Sequence, residues 1–363
     1  MKNIILAIVV VAIIISGYFV VNRGGNPQNN ETTKIGALLI LSGDFGQYGE
    51  ASRNAVQMAV DTYNNNPENT RKAEIIYEDT KADPKTAVSA YQKLTSLDKV
   101  DVILGPLLQV EMAAIEPLVK EDDMPVFSIA PIPMEQRGTT ANPLVIWPDP
   151  TLESQQMAQY VYDQGVRKIG ILNTRDAWES EVSEAFAEKF KSLGGEVAGQ
   201  EIVLPDSTDT SLPVTKIIAT KPDAVFIGTY YKFVYFVRKL RELGFKGSLY
   251  SIEIDTSLAD LTKPHSDNLQ FISPAFYTPE FTEEYQKLYG ATPSIPSGQA
   301  YDATNILLSV VMGTNNSDEI LSNMSKLRNF AGVSGKIEFD KNHRATFPLS
   351  IFEIQSGILN KIK

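Results

Sequence analysis

At 363 residues the chain is long enough for two or three domains with buried cores, so a peptide-like or single small scaffold is excluded. Its 33 Lys and Arg against 44 Asp and Glu leave a net charge of −11, which argues against a nucleic-acid backbone as partner. The absence of Cys removes disulfides, thiolate chemistry, Cys-ligated zinc and an acylated-Cys anchor, so any membrane attachment must be peptide.

Such an attachment is written at the start of the chain. Residues 4–21 are an apolar run broken only by Ser16 and Gly17, lying between Lys2 and Arg23, and long enough to nearly span a bilayer. Tyr18, Phe19, Val20 and Val21 extend the run where a secretory signal would carry small cleavage-site residues. A retained N-terminal membrane anchor (1–21) is therefore expected, with the body outside the cytoplasm, periplasmic or extracellular; cleavage is the alternative. Residues 22–33, polar and rich in Gly and Asn, read as a flexible linker.

From Lys34 onward, short β-branched runs alternate with segments of helical period, the pattern of an α/β fold with parallel sheets covered on both faces. Strands are predicted at 35–41, 73–79, 100–105, 125–130, 168–173, 223–228, 248–253 and 269–276. Asp83 and Pro84 start a helix running through Leu94, and Gly194 with Gly195 ends one that begins near Trp178. The alternation runs once before the Pro-rich stretch 143–150 and again after it, which predicts two lobes of similar architecture. Helices follow at 279–289, 298–313 and 317–330, then strands at 336–340 and 349–355.

Catalytic signatures are missing: no GxGxxG follows a strand, and neither GxxxxGK[ST] nor a GxSxG elbow occurs. His265 and His343 read as solvated loop residues, which leaves Ser-His-Asp chemistry without its base. Glu121, Asp122 and Asp123 read as the polar end of a helix. The DSTD at 206–209 lacks EF-hand spacing, and 232–243 reads as an ordinary amphipathic helix. No catalytic residue, metal site or cofactor is expected. What stands out is SGDFGQYG, where Gly43, Gly46 and Gly49 surround Tyr48 between a strand and a helix. Ligands of open α/β sheets bind outside the carboxyl ends of the strands, although a tight turn explains the glycines equally well.

Seven segments in this order resemble the type I periplasmic binding proteins, specifically the branched-chain amino acid (leucine/isoleucine/valine) substrate-binding proteins of ABC transporters. They are LSGDFGQYGEASRNAVQMAVD (41–61), EDTKADPKTAVSAYQKL (78–94), VDVILGP (100–106), LGGEVAGQEIVLPDSTD (193–209), KPDAVFIGTYY (221–231), AYDATN (300–305) and GVSGKIEFD (332–340). The resemblance implies two lobes, each a parallel sheet flanked by helices, with hinge crossings near 145–150, 274–278 and 328–333. Lobe 1 would hold 34–147 and 275–330, and lobe 2 would hold 148–274 and 331–363. It places ligand contacts at Tyr48, Gln109, Ser128, Ala130 and Ile132 of lobe 1 and at Trp178, Tyr230 and Glu253 of lobe 2. In that scheme Glu253 pairs with an α-ammonium, and Asp255 is a second acid nearby. The family usually has Ser near 109 and Thr near 132; Ile132 has no side-chain donor, so a carboxylate would fall to Gln109 or to backbone N–H groups. The function implied is capture of an amino-acid-like solute in the interlobe cleft and its delivery to an ABC permease, without enzymatic chemistry or nucleic acid. Two other readings stay open: a ligand-sensing receptor with a separate signalling partner, and an exported hydrolase.

Overall fold

Why the strands are almost uniformly apolar is visible in their alternation. A computed structural model describes residues 32–43, 45–130, 142–274, 277–341 and 343–363. In the first strand, β1 (Thr33–Leu39), Ile35, Ala37 and Leu39 pack into one core while Leu38 packs into another on the opposite face. A strand buried on both faces needs helices on both, and the chain supplies them by crossing over after each strand.

The elements then run in this order. After β1 come α1 (Gly46–Asn65), β2 (Ala73–Asp79), α2 (Pro84–Gln92), β3 (Val102–Leu104), α3 (Gln109–Asp122), β4 (Val126–Ser128) and β5 (Leu144–Val145). These five strands form a parallel sheet in the order β2-β1-β3-β4-β5. The helices start where the sequence places caps: Asp83 accepts from Thr86 N at 2.8 Å, with Pro84 in the first turn, where its missing N–H costs nothing.

The second half continues α4 (Pro150–Asp163), β6 (Lys168–Thr174), α5 (Ala177–Ser192), β7 (Glu196–Val203), α6 (Ser211–Ala219), β8 (Ala224–Ile227), α7 (Phe233–Glu242), β9 (Ser248–Ile252), α8 (Thr256–Leu261) and β10 (Gln270–Pro274). Helices α9 (Pro279–Tyr289), α10 (Ser297–Val311) and α11 (Ser317–Lys326) follow, then β11 (Asn329–Gly332), β12 (Gly335–Phe339), β13 (Ala345–Thr346), β14 (Leu349–Gln355) and β15 (Ile358–Lys361). The second sheet has the order β15-β14-β10-β9-β8-β6-β7, again with a core on each face.

Three expectations are corrected. The second sheet is not wholly parallel, because β14 runs antiparallel to β10 and β15 antiparallel to β14. Between β14 and β15 the chain reverses tightly at Ser356 and Gly357, both with positive φ (52° and 77°), the conformation of a two-residue hairpin turn. The helix predicted to reach 330 stops at Lys326, because Asn329–Gly332 pair with β12 in a small antiparallel sheet. Finally, residues from 331 were assigned to lobe 2, yet Ile337, Phe339, Ala345 and Phe347 lie in the same core as β1, α1 and α10. The chain enters the second sheet only at Leu349, opposite Pro274. Among the described residues no helix is long and apolar enough to cross a membrane; the predicted anchor at 4–21 lies outside them.

Candidate functional site

The carboxyl ends of the parallel strands of both sheets converge on one cleft, of about 880 Å³ including its open side. From the first half come Phe45 and Tyr48 after β1, Leu107–Val110 after β3, and Trp147 after β5. The second half contributes Asp176, Trp178 and Glu179 after β6, Tyr230 and Tyr231 after β8, and Glu253 after β9; Ile295 and Pro296 close one side.

Aromatic rings bridge the two halves. Phe45 meets Tyr231 edge-on at 5.3 Å, and Tyr48 meets Tyr230 edge-on at 5.5 Å. The Tyr230 hydroxyl donates to Asp255 Oδ2 at 3.1 Å, and Tyr48 also reaches Asp255. Burial, and then the Asp255 charge, push Tyr48 up to about 12, so it acts here as a neutral donor. Asp255 is itself fixed as the cap of α8, accepting from Leu258 N at 2.8 Å.

Four donors hold Glu179, which is fully buried. Its Oε1 accepts from Thr229 Oγ1 (2.8 Å), Tyr230 N (2.8 Å) and Tyr231 N (3.2 Å), and its Oε2 accepts from Thr174 N (3.1 Å). Burial pushes its carboxyl up to about 7, against those hydrogen bonds. Glu179 thus pins the loop that carries Tyr230 and Tyr231 to the end of β6.

At the base of the cleft Glu253 adopts φ of +51°, a conformation that costs a side-chain-bearing residue about 1–2 kcal/mol. Its N–H donates to Ile272 O at 2.8 Å, and Trp147 Nε1 donates to its Oε1 at 3.1 Å. Behind it lies Glu153 of α4, completely buried, whose two oxygens have no hydrogen-bond partner and which feels the Glu253 carboxyl. Burial first, and then the Glu253 charge, hold Glu153 well above the carboxylate range. Glu253 is itself pushed up to about 7 by burial.

Gln109 opens α3 at the cleft wall, 5 % exposed, with its Oε1 buried and unpartnered. Two residues on, fully buried Glu111 folds back so that its Oε2 accepts from Leu108 N at 3.1 Å.

Of the residues singled out from sequence, Tyr48, Gln109, Trp178, Tyr230 and Glu253 line this cleft together. Ser128 and Ala130 do not: both are fully buried, and the Ser128 hydroxyl donates to Ala130 O at 2.7 Å. Ile132 lies outside the described residues. Sequence reasoning missed Phe45, Trp147, Asp176, Glu179, Tyr231 and the buried Glu153. Phe45 and Tyr231 stand beside residues it did name, and Trp147 sits in the Pro-rich stretch between the lobes. Among the described residues no set of His, Asp or Glu is arranged to hold a metal.

Comparisons with known proteins bear on this cleft. A family model described as periplasmic binding protein matches residues 32–358. A curated relative, the Leu/Ile/Val-binding protein BraC3 of Rhizobium johnstonii, is 26% identical over 215 residues, which are 56% of this chain and 56% of that protein. The chain thus spans about half the length of the curated relatives it matches. The crystal structure of a leucine binding protein, LivK, from Thermotoga maritima superposes with a TM-score of 0.82 at 23% identity, covering 91% of this chain and 98% of that one. A solute binding protein from R. palustris in complex with benzoate superposes with a TM-score of 0.81 at 18% identity, over 92% and 96% of the two chains. At these identities the structural likeness speaks for the fold alone.

Proposed function

The chain belongs to the periplasmic binding proteins, and we infer that it is an extracytoplasmic solute-binding protein that captures a small amino-acid-like ligand and delivers it to an ABC transporter permease. The observation that carries this reading is the pair of aromatic contacts across the cleft, Phe45 to Tyr231 and Tyr48 to Tyr230, one ring of each pair from either half. A solute held between such rings binds the closed arrangement better than an open one, and that difference in affinity is what drives closure. The hydroxyls and carboxyls aimed inward are hydrogen-bonding groups, and the reading assigns them recognition with no bond making. In this reading the apolar run 4–21 tethers the body to the outer face of the cell membrane.

The test is a thermal-shift screen of the full chain against amino acids, small amides, polyamines and organic acids. A ligand at 100 times its Kd adds about 2.7 kcal/mol of stability. The expected result is a shift with at least one class, lost in Tyr48→Ala and in Tyr230→Ala. A screen in which nothing shifts the melt, or a shift that both variants keep, would overturn the reading.

A further inference from the structure

We propose that the ligand of the cleft is an organic cation, an ammonium on an apolar or aromatic body, with no cationic partner for a carboxylate among the described lining residues. This rests on the cleft being the solute site and departs from the amino-acid-like solute of that reading by keeping the ammonium and dropping the carboxylate.

Four independent features point the same way. The first is the wall: Phe45, Tyr48, Trp147, Trp178, Tyr230 and Tyr231 all line it. Ring faces carry negative electrostatic potential, and several rings around one space form the cage that draws ammonium groups and is indifferent or hostile to anions. The second is charge. The ionisable side chains on the described wall, besides the tyrosines, are Asp176, Glu179 and Glu253, with no Lys, Arg or His among the described lining residues. Against the described wall a carboxylate would be buried beside like charge with no described counter-ion, which costs far more than hydrogen bonding to neutral groups returns.

The third feature is Gln109. The residue is 5 % exposed and lines the cleft, and its Oε1 is buried without a donor. A buried unpaired carbonyl oxygen wants an N–H, and a ligand ammonium brings one. The fourth is the state of the α3 N-terminus, a helix end at the cleft wall that could attract an anion through its free N–H groups. Glu111 already places its own carboxyl there, on Leu108 N. A second carboxylate would meet that group instead of an open helix end.

The geometry therefore puts the ammonium at the base, near the Glu253 carboxyl and the Gln109 carbonyl, and the apolar body between the rings. Glu253 is oriented for this by Trp147 on one side and Glu153 behind.

The experiment is isothermal titration of the full chain with two matched sets of probes. One set is phenethylamine, phenylalanine and 3-phenylpropanoate; the other is isoamylamine, leucine and 4-methylpentanoate. At least one amine should bind, its amino acid no tighter, and its acid at least about a hundredfold weaker. Glu253→Gln, which keeps shape and removes charge, should weaken the amine at least about tenfold, and Tyr48→Ala should weaken it too. An amino acid at least tenfold tighter than its amine, or an acid that binds comparably, overturns the cation assignment. If that binding is lost in Tyr48→Ala, the cleft remains the solute site and only the class is wrong. Amine binding that both variants retain overturns the cleft as the site as well. Six silent probes overturn the proposal.

Discussion

Glu179 is the side chain on which the second-half wall of the cleft hangs, and replacing it isolates what its four hydrogen bonds do. In Glu179→Gln the amide oxygen can keep Thr229 Oγ1, Tyr230 N and Tyr231 N, but three charge-assisted bonds become neutral, at about 1 kcal/mol each. The new NH2 then faces Thr174 N, donor against donor, leaving a buried N–H unpaired at about 1–3 kcal/mol. Against this loss of about 4–6 kcal/mol stands the removal of a buried charge. Burial pushes Glu179 from 4.5 up to about 7 even against its hydrogen bonds, so that relief is at least about 3 kcal/mol. The net expectation is a loss of at most about 3 kcal/mol. Glu179→Ala strands all four donors and leaves a cavity, so it should cost at least about 2 kcal/mol more than Gln. Thermal melts of the full chain at pH 7, followed by circular dichroism, measure both. A Gln variant that costs as much as Ala, or an Ala variant that melts within about 1 °C of the parent, would refute the hydrogen-bond account.

Three further outcomes are expected. Stability should fall as pH rises from about 5 to 8, because burial raises Glu111, Glu179 and Glu253 to about 7 and Asp302 to about 6. Each carboxyl binds its proton more tightly when folded, so its contribution is complete below the unfolded value and lost as pH passes the folded one; a flat or rising profile of urea midpoints would contradict this. Gly49→Ala should destabilise by several kcal/mol, since a Cβ there would overlap the Ile40 carbonyl. Gly43→Ala, with φ of +83° and open space around it, should cost about 1 kcal/mol, and equal melts for the two variants would sink the distinction. Both tryptophans of the chain, Trp147 and Trp178, line the cleft, so solute binding should change intrinsic emission, and Trp147→Phe and Trp178→Phe should each remove part of that change. An emission spectrum indifferent to a bound solute would place that solute elsewhere.

The strands that were legible in the sequence are short runs rich in β-branched residues and bounded by turn residues. Ala73–Asp79 and Leu349–Gln355 have the predicted bounds, because an apolar run between turn residues leaves the chain few alternatives. The ones missed are edges or margins: β7 begins on exposed Glu196 and shifts register between Ile169 and Gly170, and β15 begins on Ile358, 63 % exposed. Local pattern also overran α11, where Leu327 and Phe330 keep helical spacing but pairing with β12 wins. In the cleft, the Gly-rich turn around Tyr48 stood out by composition, whereas Glu179 and Trp147 did not. Which strand ends meet is decided by topology, and nothing in DAWES or WPDP announces it.

The distribution of cost across the cleft is uneven, and that asymmetry carries meaning. The first half gives Ile40, Phe45, Tyr48, Leu107, Leu108, Gln109 and Val110, an apolar and aromatic wall with one amide. The second half gives Glu179, Glu253 with its positive φ, Asp255, and Glu153 behind, all buried carboxyls that weaken the fold by their desolvation. A strained residue and a buried acid pair at the end of one strand persist only where surrounding contacts hold them. Here those contacts are Trp147, Ile272 and the α4 helix. Both halves supply rings, while the buried carboxyls come from the second. Changes at Glu253 should alter which solutes bind, while changes at Phe45 or Tyr48 should alter how tightly they are held. A Phe45→Ala variant that switched preference from one charge class to another would contradict that division.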